Sequence, residues 1–294
     1  MEKNDFLKLK PMLLDEIEYA FDSKDYIFEI KFDGMRALIF IDDGKIIIKS
    51  RRGIVLNSIF PELLDIANIT NEKCILDGEI VLIDKGIPSF SKLQERSKLK
   101  DKYKIKYMKE NYPVSFVCFD ILYKNIDLTN LPLMDRKKIL NKFLDTKTFV
   151  KSKVFDEHGI NLFEIIKKNN LEGIIAKKKN SIYSYGKRVS DWLKIKNLNV
   201  QDFFVCGFIE HKNKNILTII LGEKREYKFY FVGKVLLSYK NDIFDKIKLE
   251  KNVDNYLDNY SNDVTKFIKP KYTIKIGYME RTKKNLLRQP IIKK

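Results

Sequence analysis

No apolar run in this sequence approaches the roughly 18 residues that a membrane-spanning helix needs, which argues against a membrane partner. The opening Met1-Glu2-Lys3-Asn4-Asp5 lacks the pattern of a secretory signal. Cysteine is scarce: Cys74, Cys118 and Cys206 are far apart, odd in number and match no metal-ligand spacing. Each lies in an apolar run, so the expectation is reduced core thiols in an intracellular setting. The two histidines, His158 and His211, are isolated and read as surface residues. There is no internal repeat and no low-complexity linker. Acidic residues are in deficit, 40 Asp and Glu against 57 Lys and Arg, for a net charge of +17. Such a balance suggests an anionic partner, most often nucleic acid. The competing explanation is a genomic base composition that favours Lys, Asn and Ile.

What is present suggests about two domains in 294 residues, with 44% hydrophobic residues to fill ordinary cores. The chain is organised around Glu29-Ile30-Lys31-Phe32-Asp33-Gly34-Met35-Arg36, the end of a strand running into a turn. Alternation puts Glu29, Lys31 and Asp33 on one face, and Gly34 allows close backbone approach. A lysine between carboxylates in a cleft is a plausible nucleophilic amine. A hairpin follows, Ala37–Ile41 and Ile46–Lys49 joined through Asp43-Gly44, and then Ser50-Arg51-Arg52-Gly53, which alone reads equally as a solvated loop. Phe60 to Ile66, Ser89 to Tyr112, Met134 to Leu144 and Asn161 to Asn169 read as helical. Cys74 to Ile83 reads as a strand carrying Asp77 and Glu79, where a salt bridge competes with a ligand site. Val114 to Tyr123 is a buried strand in which Phe119, taken alone, is core. In Trp192-Leu193-Lys194-Ile195-Lys196, Trp192, Lys194 and Lys196 share a face; an anion between the two lysines, or solvent, would relieve their repulsion. Beyond Asn199 come short strands at Phe203–Phe208, Ile216–Leu221, Tyr227–Val232, Val235–Leu237 and Tyr272–Tyr278, with a helical patch at Asp242–Leu249. That pattern fits a small closed β-barrel such as an OB-fold.

Taken in order, these stretches resemble the motifs of the ATP-dependent DNA ligases, within the covalent nucleotidyltransferases. Lys31-Phe32-Asp33-Gly34-Met35-Arg36 is similar to the nucleophile motif, and Ser50-Arg51-Arg52-Gly53, Asp77-Gly78-Glu79 and Phe119-Asp120 to those that follow. Glu172-Gly173-Ile174-Ile175-Ala176-Lys177 and Trp192-Leu193-Lys194-Ile195-Lys196 complete the set. A lone KxDG is weak, whereas an ordered series over residues 29–196 is specific. Lys10-Pro11-Met12-Leu13, Ser89 to Arg96, Gly233-Lys234-Val235 and Leu287-Arg288-Gln289-Pro290 resemble the ligase domain of bacterial non-homologous end-joining ligases in particular.

The resemblance implies an α+β nucleotidyltransferase (adenylation) domain with antiparallel sheets and flanking helices over residues 1–199, and an OB-fold domain over 200–294. It implies ATP and Mg²⁺ (or Mn²⁺) as cofactors, and nick sealing through lysyl-AMP and DNA-adenylate intermediates, in DNA repair or end joining. Lys31 is then the nucleophile, and Lys194 and Lys196 are catalytic ligands of the α-phosphate. Glu172 and Glu79 would hold metal, Glu79 alternatively the ribose; Arg36 and Arg51 would contact ribose and phosphate. Phe119 would stack on adenine and Glu29 would accept from its amino group, while Arg51 and Arg52 would bind DNA. Implied partners are nicked duplex DNA and a protein such as bacterial Ku, for a monomer in the bacterial cytoplasm at the nucleoid. The family usually ends in a basic motif, an arginine followed shortly by Asp-Lys; here the sequence reads Gln289-Pro290-Ile291-Ile292-Lys293-Lys294, with Arg288 upstream. The expectation is a less efficient lysine adenylylation, for which Lys293-Lys294 would substitute in part. An NAD⁺-dependent ligase is disfavoured by the absence of a cysteine zinc cluster. The alternatives are an RNA ligase or capping-type nucleotidyltransferase, or a non-catalytic nucleic-acid-binding protein with a degenerate pocket.

Overall fold

The computed structural model describes residues 2–293, so Lys294 lies outside the described residues. The chain divides into two units, Met1–Asn197 and Leu198–Lys294. In the first, strands β1 (Leu13–Glu16), β2 (Tyr26–Ile30), β3 (Met35–Asp42), β4 (Lys45–Ser50), β5 (Cys74–Asp84) and β6 (Ile87–Pro88) are followed by β7 (Val114–Lys124), β8 (Ile126–Asp127), β9 (Phe149–Lys151), β10 (Phe155–Asp156), β11 (Gly173–Lys178) and β12 (Arg188–Lys196). Helices α1 (Lys3–Lys8), α2 (Phe90–Arg96), α3 (Lys102–Asn111), α4 (Leu133–Leu140) and α5 (Gly159–Lys168) join or flank them.

Among the described residues these strands form two sheets. One runs β1-β12-β11-β2-β10; the other runs β4-β3-β5-β7-β8, with β6 on β5 and β9 on β7. Period-two alternation explains how they stack. Ala37, Ile39 and Ile41 of β3 point one way, into a core with Leu76, Phe116, Leu63 and Ile66. Leu38 and Phe40 point the other way and pack with Ile27 of β2 and Trp192 of β12. The far face of the β2 sheet places Phe28, Ile174 and Ile195 against Leu162, Phe163 and Ile166 of α5. The two sheets are therefore the inner layers of this unit, and the face that Trp192 shares with Lys194 and Lys196 looks into the space between them.

The Asp43-Gly44 hairpin forms with the expected register, Ile41 opposite Ile46. Several boundaries differ from the sequence reading. Pro61–Ile69 is a 3₁₀ helix rather than an α-helix. Ser89 to Tyr112 is two helices, because the Asp101 side chain accepts from the Lys104 N–H at 2.8 Å and so caps a fresh start at α3. The sheets are not wholly antiparallel: β1 runs parallel to β12, and β9 to β7. No described helix is long and apolar enough to cross a membrane. All three cysteines are buried and free.

The second unit contains β13 (Asn199–Glu210), β14 (Ile216–Arg225), β15 (Lys228–Ser238), β16 (Leu257–Asp258), β17 (Lys266–Phe267), β18 (Thr273–Tyr278), β19 (Ile291–Ile292) and α6 (Phe244–Lys248). Among the described residues one sheet runs β16-β15-β14-β13-β18-β19, with β17 also on β13 and β16 parallel to β15. Gly233-Lys234 does not break β15 into two strands; a register shift at Leu221/Gly222 of β14 absorbs the irregularity. Phe203, Val205, Ile219, Leu221, Val232 and Ile276 fill its core.

Candidate active site

Lys31 follows directly on β2. Its N–H donates to the Gly173 carbonyl at 2.9 Å, and Gly173 of β11 pairs with Lys196 of β12. Backbone register alone thus sets Lys31, Gly173 and Lys196 in one row across three strands. The Lys31 Nζ lies 2.6 Å from Glu172 Oε1, and 21% of its side chain is exposed. Gly34 is required here by close approach: a Cβ would lie 2.4 Å from the Ile80 carbonyl oxygen and 2.6 Å from Glu79 Cγ. The turn therefore presses on β5 at Glu79, whose register partner is Arg36.

Burial pushes the Glu79 carboxyl up to about 8; Lys31 and Arg36 oppose this, and the charges of Glu172 and Asp77 add to it. Two carboxyls of like charge beside a lysine are hard oxygen donors, and a divalent cation would relieve their repulsion. Among the described residues no group of three His, Cys, Asp or Glu forms a cage. The pair suits Mg²⁺ or Mn²⁺, which take one or two carboxylates and fill their remaining positions with phosphate oxygens and water.

Arg36 grips Asp77 through two bonds, Nε to Oδ1 at 2.9 Å and Nη2 to Oδ2 at 2.7 Å, and its guanidinium carbon lies 4.9 Å from the Phe119 ring centre. The Tyr183 hydroxyl donates to the same carboxylate at 2.6 Å. Asp120, the neighbour of Phe119, is fully buried and held by Arg136 in a second two-bond pair. Phe119 itself is half-buried, with its ring edge-on to Trp192 at 6.2 Å and Lys177 Nζ 4.2 Å from its centre. Phe119 is thus set among cations at the sheet-to-sheet face rather than sealed in the core.

Glu29 is buried, and its partners differ from those the resemblance implies. One oxygen accepts from Lys137 of α4, the other from Lys177 at 2.8 Å. Burial works against the carboxylate, but the charges of Lys137 and then Lys177 outweigh it and hold Glu29 below the usual range. Burial likewise pushes Lys177 down, to about 8.

Lys194 and Lys196 do share an anion. Glu16 Oε2 lies 3.0 Å from Lys194 Nζ and 3.2 Å from Lys196 Nζ, because β1 runs parallel to β12 with Glu16 opposite Lys194. Arg51 and Arg52 sit in the exposed loop after β4, anchored by the Arg51 N–H on the Arg36 carbonyl at 3.0 Å. Arg288, in the second unit, is 3.1 Å from Glu280.

The structure thus joins Lys31 with Glu172, sets Glu79 against the same turn, and places Arg36 by Phe119 and Lys194 by Lys196. Sequence reasoning missed Glu16, Lys137, Lys177 and Tyr183. Lys177 carried a signal, a lysine closing a β-branched run that is buried on both faces. Lys137 carried none, since an amphipathic helix admits lysine anywhere on its polar side.

Comparison with known proteins identifies the family of the chain. The ATP-dependent DNA ligase domain model matches residues 11–196. The multifunctional non-homologous end joining protein LigD of Mycolicibacterium smegmatis is 29% identical over 295 residues, which cover 95% of this chain and 37% of that protein. The SPbeta prophage-derived DNA ligase-like protein LigB of Bacillus subtilis is 32% identical over 213 residues, 71% of this chain and 75% of that protein. The solved structure of a mycobacterial DNA ligase D complexed with ATP and MES superposes with a TM-score of 0.61 at 26% identity, covering 97% of this chain and 94% of that one. The chain spans little more than a third of the length of its mycobacterial relative, and by its motifs, its family match and its fold it belongs to the ATP-dependent DNA ligases.

Proposed function

We propose that this chain seals nicks in duplex DNA at the expense of ATP, with Lys31 as the nucleophile. The observation that carries the reading is the placement of Lys31: about one-fifth exposed at a strand end, 2.6 Å from Glu172 and in one row with Gly173 and Lys196. The Lys31 ammonium first gives its proton to solvent water, and the Nζ–phosphorus bond then forms as the bond from the α-phosphorus to pyrophosphate breaks. AMP then passes to the 5′-phosphate of the nick. The 3′-hydroxyl attacks that phosphate, AMP departs, and the strand is joined.

Each neighbour has a physical task in this scheme. An ammonium paired with Glu172 has no lone pair, so Lys31 attacks only after it leaves that carboxylate and loses its proton to solvent. Glu172 and Glu79 would hold Mg²⁺ or Mn²⁺, which would supply neutralising charge to the phosphates. Lys194 and Lys196 bind the α-phosphate in place of the Glu16 carboxylate and stabilise the charge on the transferred group. Phe119 stacks on adenine. Glu29 still has lone pairs for the adenine amino group, since a carboxylate offers about four acceptor sites and the two lysines use one on each oxygen. Arg36, fixed by Asp77, faces the ribose, and the exposed Arg51 and Arg52 contact the DNA backbone. The second unit, with register shifts in its β13–β15 sheet and a filled core, is read as an OB-fold that also binds DNA. The setting is repair or end joining, in a monomer that works with a partner such as bacterial Ku.

Offering nicked DNA and nicked RNA side by side, with ATP or GTP, tests the reading. Joining of DNA with ATP alone is expected, and Lys31→Ala abolishes it. Joining of RNA only, or use of GTP, would replace it with the RNA-ligase or capping reading.

A further inference from the structure

Helix α3 lies outside the site described above and carries an unusual surface. Tyr103 and Tyr107 are 86% and 58% exposed, one helical turn apart. Ile105, on the opposite side, is the residue that ties the helix to the protein. At 100° per residue, Lys104 flanks the tyrosine ridge on one side and Lys106 on the other. Lys98, Lys100, Lys102 and Lys109 extend the same segment, with only Asp101 and Glu110 as acids among residues 98–110. All six lysines are exposed, and none makes an ion pair among the described residues. What sets the segment apart is the density of these free cations, six within residues 98–109, around two exposed tyrosines.

The position is also informative. Helix α3 leads into β7 at Val114, which pairs with Leu82 of β5. Glu79 is three residues back along β5, about 10 Å from Leu82, so the strand that α3 feeds runs alongside the one that carries Glu79. An exposed aromatic ridge bordered by unpaired cations fits one ligand chemistry in particular. Bases offer flat faces to tyrosine rings, and the phosphates between them meet the lysines. A paired duplex hides its base faces, and an amphipathic membrane helix would present Leu or Phe rather than tyrosines among lysines.

We propose that α3 binds an unpaired stretch of strand beside the break, so that the protein prefers nicks or ends carrying a single-stranded extension. The proposal rests on the ligase reading for the identity of the substrate, but its surface is separate from the Lys31 site.

The test measures binding of the full chain by fluorescence anisotropy, using a nicked duplex with and without an unpaired oligothymidine tail at the break. The tail is expected to tighten binding about tenfold or more, and Tyr103→Ala with Tyr107→Ala is expected to remove that gain while leaving the tail-less duplex unchanged. Lys104→Gln with Lys106→Gln should lower the salt slope for tailed DNA by about 1.4. No gain from the tail in the unaltered protein, a gain that survives the double tyrosine variant, or an equal loss on both duplexes would each overturn the proposal. Covalent labelling of Lys31 by ATP, measured on the same preparations, reports on the ligase reading independently. Label without a tail effect sinks only this inference; a tail effect with neither label nor sealing of a preadenylylated nick sinks only that reading.

Discussion

Asp77 shows how a motif residue earns its place by holding another. It is fully buried, takes two bonds from Arg36 and a third from Tyr183, and never faces the ligand space itself. Asp77→Ala leaves a buried guanidinium without its counter-charge and is expected to cost about 3–5 kcal/mol, read by denaturant unfolding. From the sequence, a carboxylate in a β-branched run suggested either a salt bridge or a ligand site; Asp77 is the first. Glu29 was assigned from the motif to the base, but its tie to Lys137 could not be seen, because the two residues are 108 positions apart and meet only through packing. Lys177 at this carboxylate gives a pH signature. Burial lowers Lys177 to about 8, so between about pH 8 and the ordinary lysine value the unfolded chain binds more protons than the folded one. Stability contributed by this group therefore rises with pH across that window and is lowest below it, where the buried ammonium is charged. Lys177→Met should flatten the rise in unfolding free energy between pH 8 and 10; an unchanged slope would contradict it.

At the level of elements, the longer strands that carry the motifs followed from alternation, whereas β1, whose Glu16 meets Lys194 and Lys196, was not read as a strand. Less readable was what closes the layers. Helix α1 has six residues, too few to persist by itself, and its end is held by a lysine from another element. Lys49 Nζ donates to the carbonyls of Phe6, Leu7 and Leu9, at 2.5, 3.0 and 2.7 Å. Lys49→Met should cost about 1–3 kcal/mol and expose the α1 amides to hydrogen exchange. Nothing local in Lys45–Ser50 announces that role, since a lysine ending a hairpin strand normally points to water. The turn after β2 is the opposite case, where Gly34 was readable and its reason is now concrete. Gly34→Ala forces the backbone away from Ile80 or Glu79. A shift near 1 Å at Lys31 should slow lysine adenylylation about a hundredfold, measured by single-turnover labelling, with a smaller loss of stability.

For the whole molecule, the basic excess and the motif order pointed the same way, toward a nucleic-acid enzyme that uses a nucleotide. If that charge binds a phosphate backbone, affinity for nicked DNA should fall steeply between 50 and 200 mM salt. Composition alone could not separate this from a base-composition effect. Which lysines are held in ion pairs, as Lys73 and Lys92 are, and which are free, as on α3, could be told apart only in the folded chain. The central claim is covalent chemistry at one amine. It is tested by incubating the full chain with α-³²P-labelled ATP and Mg²⁺, with Lys31→Ala as control. The expected result is one acid-labile label per chain that pyrophosphate reverses and the variant lacks. A label that persists in Lys31→Ala, or none in the unaltered protein together with failure to seal a preadenylylated nick, would contradict it.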